Sequence, residues 1–199
     1  MSLRTQSNPY GDVELTDPRA MRALAHPVRL AILSHLQRHG PATATELSEH
    51  VDASPSVASW HLRHLAQFGL VRDSDASAIP GADGRKRYWE AVARGVRFEL
   101  PDDEEGRAAG QVLSRTMMEA AAGLPEQWMA EVEPHLEPEW HREAGLANTR
   151  VRVTAAELAD LEAAFEQLLA PYVTRADDDV PDDARGVRLL RYTLPEATS

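Results

Sequence analysis

One short stretch of the sequence places hydrogen-bonding and aromatic side chains on a single side of a predicted helix. The helix begins at Ser54-Pro55 and ends before Gly69, with Ala58, Leu62 and Leu65 on its inner face. The opposite face carries Ser56, Ser59, Trp60, Arg63 and Gln67. Hydroxyl and guanidinium groups can bond to base edges and phosphates, and no Asp or Glu lies within Ser54–Arg72. The pattern predicts a helix that lies in the major groove of DNA.

The residues on either side predict the elements that hold this helix in place. Thr43-x-x-Glu46 is a capping box that starts a shorter helix, and Asp52-Ala53 forms the turn between the two. Leu70–Arg72 reads as a strand, residues 73–84 as a polar loop, and Arg85-Lys86-Arg87-Tyr88-Trp89 as the return strand. A hairpin placed directly after a helix–turn–helix is a wing, and its three cations suit phosphate contact.

Two more helices are predicted before this unit. Asp17-Pro18 caps a helix that runs to about Ala25, and Pro27–His39 forms the next, ended by Gly40-Pro41. We therefore expect a flexible N-terminal arm over residues 1–16 and a winged helix–turn–helix domain over residues 17–99.

The remaining residues, 100–199, predict a helix-rich α+β region used for dimerisation, with a small-molecule effector site as the sharper alternative. Acidic residues at 102–105 open a long helix, a second helix is expected over 125–136, and Thr154-x-x-Glu157 caps a third. Leu146–Val153 and Gly186–Leu194 read as strands. The dimer interface is expected on the long helix, at Val112, Leu113, Met117 and Ala121. The whole chain is thus expected to be mainly α with a small β component.

The net charge of −11 is divided unevenly between the two halves. Residues 1–100 contain 12 Lys and Arg against 11 Asp and Glu, whereas residues 101–199 contain 9 against 21. Since charges beyond ~10 Å are largely screened in salt, the acidic half does not prevent the first half from binding DNA.

An ordered series of motifs resembles the ArsR-like winged helix–turn–helix transcriptional regulators. The residues are Leu24-Ala-His-Pro-Val-Arg-Leu-Ala-Ile-Leu33, Thr45-Glu-Leu-Ser and Ser54-x-x-x-x-Ser59-x-His61-Leu62-x-x-Leu65-x-x-x-Gly69-Leu70-Val71, within residues 17–92. The resemblance implies a homodimer that reads a near-palindromic operator, usually as a repressor. By position it implies DNA contacts from Ser54, Ser56, Ser59, Trp60, Arg63 and, at the helix edge, His61, and wing contacts from Arg85, Lys86 and Arg87.

The sequence departs from the metal-sensing members of that family. The chain has no cysteine, and residues 101–134 contain no histidine, so neither the cysteine pair nor the Asp-x-His…His pattern is present. His35 and His39 have the spacing of a zinc pair, but a third ligand is not evident and ordinary surface histidines are expected. We predict no metal and no cofactor. For Trp60, packing on the wing or on a partner chain remains an alternative to DNA contact.

These observations predict a DNA-binding transcriptional regulator that is not an enzyme. No catalytic motif is recognised, and the absence of cysteine, signal peptide and long apolar segments fits a cytoplasmic protein without membrane contact. The competing hypothesis is a small-molecule-binding or enzymatic C-terminal module for which the winged helix is only a targeting device.

Overall fold

The computed structural model describes residues 8–99 and 102–197. The helices are α1 (Pro18–Leu24), α2 (Pro27–His39), α3 (Ala44–Ser48), α4 (Pro55–Gln67), α5 (Glu104–Ala122), α6 (Leu124–Glu131), α7 (Pro138–Glu143) and α8 (Ala155–Val173). The strands are β1 (Val13–Leu15), β2 (Ala42–Thr43), β3 (Val71–Ser74), β4 (Tyr88–Ala91) and β5 (Val96–Phe98). The predicted fold class, mainly α with a small β component and a helix–turn–helix in the first half, is confirmed. None of the helices described could span a membrane.

The hydrophobic core lies in the first half of the chain, between the helices and a small sheet. Strands β2, β4 and β3 pair antiparallel in that order, with Val71 opposite Ala91. The fully buried large side chains come from α1 to α4, from the start of β3 and from α5: Met21, Leu24, Ile32, Leu33, Leu47, Leu62, Leu65, Leu70, Val71 and Leu113. The first half of α5 packs on α1, and its Leu113 therefore belongs to this core.

Local capping fixes the ends of the helices as the sequence predicts. The Asp17 side chain accepts from the Arg19 amide, and Thr43 and Thr154 form complete capping boxes with Glu46 and Glu157. At the other end of α2, Gly40 adopts a positive φ of 81°, which an L side chain rarely takes. The helix therefore ends there.

The predicted flexible arm is wrong for residues 13–15. These residues form β1, which pairs parallel with β5, so that Val13 lies opposite Val96 and Leu15 opposite Phe98. An added Cβ at Gly95 would overlap the Asp12 carboxylate, so glycine allows the arm to approach β5. Residues 1–7 of the predicted arm lie outside the described part of the chain.

The return strand of the wing begins later than predicted. Arg85, Lys86 and Arg87 precede β4, because Asp83 folds them into a turn: its carboxylate accepts from the Arg85 amide at 3.0 Å and its carbonyl from the Lys86 amide at 2.9 Å. The three cations therefore lie on the loop of the hairpin instead of along its strand.

The C-terminal half forms helices but not the two strands predicted for it. Residues 146–153 and 186–194 are irregular, although their apolar residues alternate as in a strand. A strand needs a backbone partner, and neither segment pairs with a strand in the described part of the chain. The 2.6 Å ion pair between Arg150 and Glu196 joins the first segment to the residues after the second through side chains alone. From Ser114 to Ala197, every residue whose burial is described is at least partly exposed.

Candidate nucleic-acid interface

Helix α4 is held against the core by one apolar face and presents the other. The Ser54 hydroxyl accepts from the Val57 amide and Pro55 occupies the first turn, so the helix begins at a fixed point. Ala58, Leu62 and Leu65 are fully buried against α2, α3 and the sheet. Their burial leaves the predicted outer face directed away from the core.

Four of the predicted reading residues lie together on this outer face. Ser56 and Arg63 are exposed, Ser59 is partly exposed, and the Ser54 and Ser56 hydroxyls lie 3.1 Å apart. Nη1 of Arg63 donates to Oγ of Ser59 at 2.8 Å. This bond orients the guanidinium, whose remaining N–H groups can pair with guanine or a phosphate.

Trp60 presents an aromatic surface on the same face. Its side chain is 52% exposed, and its ring stacks on His64 at 5.5 Å with the planes 6° apart. An edge contact at 4.9 Å joins it to His61. Both neighbours belong to α4 itself, so the wing does not supply these ring contacts.

The prediction that His61 lies on the DNA-facing edge is wrong. Its side chain is only 5% exposed, and its ring lies 4.8 Å from that of His26 at the start of α2. Burial is the main cause that lowers the His61 pKa, and the nearby charges of His26, Arg29 and His64 add to it. The spacing could have revealed this, because His61 follows Ala58 by three residues and precedes Leu65 by four, on the inner face.

Val57 is a surface residue of α4 that the sequence pattern did not single out. It is 43% exposed and follows Ser56 in the first turn of the helix. In major-groove recognition, the first turns of the helix reach the base edges, and an apolar side chain there can contact a thymine methyl group.

The three wing cations differ in their surroundings. Arg87 pairs with Asp73 across the hairpin, with Nη2 2.7 Å from Oδ2, and its guanidinium lies 4.2 Å from the Trp89 ring. The hydrogen bond from Arg87 is the main cause of the lowered Asp73 pKa. Arg85 and Lys86 are exposed at the loop and form no ion pair within the described part of the chain. They are the cations most accessible to phosphate.

Of the residues predicted for a dimer interface, Leu113 is unavailable. It is fully buried in the core of its own chain, on the side of α5 that packs against α1. Val112 and Met117 are exposed and Ala121 is partly exposed. The predicted interface is therefore interrupted.

A third histidine lies beside the predicted pair on α2. The His35 ring is 4.6 Å from that of His39 and 4.6 Å from that of His50, with the His35 and His50 planes 23° apart. Stacked rings direct their nitrogens along parallel planes instead of toward one point. Within residues 8–99 and 102–197, no group of three or more His, Asp or Glu is arranged to hold a metal ion.

Comparison with known families agrees with this geometry. A family model described as a helix-turn-helix domain matches residues 24–73, which span α2, α3, α4 and most of β3. No similar curated protein was found. Residues 24–73 therefore form a helix-turn-helix domain, a fold that binds DNA.

Proposed function

We propose that the chain is a homodimeric transcriptional regulator that represses from a near-palindromic operator. The observation that carries this proposal is the outer face of α4, where Arg63 is oriented by Ser59 beside Ser56 and Trp60. Two such helices would enter successive major grooves, about 34 Å apart.

The proposal divides the contacts by their chemistry. Arg63 would read a base, since an arginine that pairs with guanine through two hydrogen bonds discriminates between sequences. Arg85 and Lys86 would contact phosphates, which adds affinity without sequence preference and makes binding depend on salt. Residues 17–99 are assigned to DNA binding and residues 100–199 to dimerisation, with an effector as a further ligand of the second region.

The test begins with the DNA upstream of the protein's own reading frame. Binding is measured by fluorescence anisotropy at several salt concentrations for the wild type, Arg63→Ala, and the pair Arg85→Ala/Lys86→Ala. We expect Arg63→Ala to cost about 1–3 kcal/mol of specific binding and to relax base preference. The wing pair should weaken all sequences alike and flatten the salt dependence.

Arg142→Ala, which removes an exposed arginine on α7, is the matched control for loss of positive charge. Its operator affinity should equal that of the wild type. If Arg63→Ala and the wing pair also matched the wild type, α4 would not read DNA and the proposal would be wrong. Repression is checked separately by transcription in vitro from a promoter that overlaps the bound site.

A further inference from the structure

The outer face of α4 has a polar edge and an apolar edge. Because an α-helix turns by about 100° per residue, Ser56, Ser59 and Arg63 fall within about 60° of one another. Val57 and Trp60 lie on the other side of Ser56, with Val57 about 100° from it. Val57 is 43% exposed and Trp60 52%. Val57 therefore begins the apolar edge, and its side chain can contact DNA only through apolar groups.

Local structure holds Val57 in one position. Its amide donates to the Ser54 hydroxyl that caps the helix. Inside a helix, a valine side chain keeps a single χ1 rotamer in about 90% of cases. The two methyl groups of Val57 therefore stand at fixed places on the surface, and little side-chain entropy is lost when they meet a ligand.

The ring contacts of Trp60 lie on the side away from the first turn. The indole stacks on His64 at 5.5 Å and makes an edge contact with His61 at 4.9 Å. Both neighbours come later in the helix than Trp60, whereas Val57 comes three residues earlier. These contacts leave Val57 accessible at the start of the helix.

The first turn of α4 lacks the acidic residue that most helices of this chain carry there. Helices α3, α5, α6, α7 and α8 each have one, and a carboxylate at this place stabilises the helix dipole. The first turn of α4 has none. Valine is also a poorer helix former than glutamate, so helix stability alone would not favour it at an exposed position. A carboxylate there would repel the phosphates of DNA, whereas Val57 does not.

The base edges of DNA present one apolar group in the major groove. All four bases offer hydrogen-bond donors or acceptors there, and thymine adds a methyl group at C5. In the helix-turn-helix domain of residues 24–73, α4 is the second helix of the motif, which in this fold enters the groove with its N-terminal residues at the base edges. Val57 has the position and the chemistry to meet that methyl group.

We propose that Val57 recognises the C5 methyl group of a thymine in each half of the operator. This deepens the proposed function, on which it rests, because it names a base-specific contact besides that of Arg63. The two residues are six apart, or ~9 Å along the helix, which corresponds to two or three base pairs at ~3.4 Å each. The thymine is therefore expected two or three base pairs from the base that Arg63 reads.

Uracil tests this contact, because it lacks only the C5 methyl group and keeps every hydrogen bond of thymine. The wild-type chain first selects a duplex from a random-sequence library. Each thymine of that duplex is then replaced by uracil, one position and one half-site at a time. The dissociation constants of the wild type and of Val57→Ala are measured by fluorescence anisotropy.

For the wild type, we expect one thymine in each half-site at which uracil weakens binding. The expected factor is about four, the fold-change that ~0.8 kcal/mol for one buried carbon group represents. Val57→Ala should weaken binding to the thymine duplex about fourfold for each half-site and should bind thymine and uracil equally at that position. Alanine is a better helix former than valine, so α4 stays folded in the variant.

Val151→Ala is the matched control, because Val151 is 54% exposed and lies in the C-terminal half. It should bind and discriminate as the wild type does. The proposal is overturned if uracil costs Val57→Ala as much as it costs the wild type, or if it costs the wild type nothing at any position. A selected duplex without thymine in its half-sites would overturn it as well.

Nuclear magnetic resonance of the complex gives an independent measurement. With the valine methyl groups labelled with ¹³C, a nuclear Overhauser effect is expected between Val57 and a thymine methyl group. An effect to a cytosine H5 instead, or to no base at all, would overturn the proposal.

Arg63→Ala separates this proposal from the proposed function. If no duplex is selected, or if the selected duplex binds Arg63→Ala as tightly as the wild type, the proposed function is wrong. If Arg63→Ala weakens binding while Val57→Ala and the wild type respond alike to uracil, only the Val57 contact is refuted.

Discussion

The imidazole rings of His26 and His61 lie 4.8 Å apart, where the start of α2 meets the inner face of α4. Nδ1 of each ring is buried and has no hydrogen-bond partner among the described residues. Burial is the main cause that lowers both pKa values, and the Arg29 charge lowers them further. Both rings are therefore neutral at pH 7, and a proton on either would lie next to Arg29 and the other ring.

The first prediction is a loss of stability in mild acid. Above pH ~6.5 these histidines are neutral in the folded and the unfolded chain, so they add no pH dependence. As pH falls below that value, the unfolded chain takes up protons that the folded chain does not bind. The free energy of unfolding should therefore decrease until the pH passes the lowered pKa values of the folded state, as urea unfolding at pH 7.5, 6.5, 5.5 and 5.0 would show.

His61→Leu should reduce this decrease, because it removes one buried titrating group and leaves an apolar side chain in an apolar site. His35 also has a pKa lowered by burial, so part of the pH dependence should remain. His141→Gln changes an exposed histidine on α7 and should behave as the wild type. Identical pH profiles for His61→Leu and the wild type would contradict the prediction.

The sequence predicts correctly those features that depend on residues close together in the chain. The helix starts at Asp17, Thr43 and Ser54 follow from side chains that bond to amides two or three residues away. The pairing of β1 with β5 joins residues 13 and 96, and no local pattern marks it. The strands expected at 146–153 and 186–194 are absent for the same reason. Alternation shows which side chains could share a face, but it does not show whether a backbone partner exists.

The features of the candidate site also separate into those with a local cause and those that depend on distant contacts. The exposed face with Ser56 and Arg63 could be predicted because helical periodicity alone decides it. The different roles of Arg85 and Arg87 could not, because they depend on the contact of Arg87 with Asp73 on the opposite strand. His61 was misplaced even though its spacing from Ala58 indicated burial.

The second prediction concerns the ion pair that joins α8 to β5. Arg97 lies 2.9 Å from Glu166 and 3.8 Å from Asp12, and all three side chains are mostly buried. Arg97→Met would leave two carboxylates without this cation, at a cost of about 3 kcal/mol in the free energy of unfolding. Glu166→Gln leaves Arg97 beside Asp12 and should cost about 1 kcal/mol.

Urea unfolding at pH 7.5 compares both variants with Arg152→Met, which changes an exposed arginine and should stay within about 0.5 kcal/mol of the wild type. Equal losses in the free energy of unfolding for Arg97→Met and Glu166→Gln would contradict the prediction. They would show that the Arg97–Glu166 contact accounts for the whole effect and that the Arg97–Asp12 contact adds no stability.

The third prediction compares the two capping boxes. Thr43 and Thr154 accept from the Glu46 and Glu157 amides, each at 3.2 Å, so the local geometry of the two caps is nearly the same. Thr43 is buried and Thr154 is exposed. Loss of the hydroxyl removes the partner of a part-buried amide at the first site, whereas water can readily replace it at the exposed second site.

Thr43→Ala should therefore cost about 1–2 kcal/mol in the free energy of unfolding, and Thr154→Ala about 0.5 kcal/mol. Urea titration followed by circular dichroism measures both. Thr43→Ser keeps the hydroxyl and should recover most of the loss. A larger loss for Thr154→Ala than for Thr43→Ala would contradict the role given to burial.

The fourth prediction uses the Asp73–Arg87 pair to set the charge of the wing. The hydrogen bond from Arg87 lowers the Asp73 pKa below its ordinary value, so Asp73 stays ionised and cancels one of the three wing cations. Asp73→Asn should release Arg87 to contact a phosphate. The slope of log affinity against log salt should then become steeper by up to ~0.9, with tighter binding at low salt. Asp182→Asn removes the same charge from the C-terminal half and should leave the slope unchanged. The double variant Asp73→Asn/Arg87→Ala should return to the wild-type slope. If it kept the steeper slope, the additional phosphate contact in Asp73→Asn would not come from Arg87.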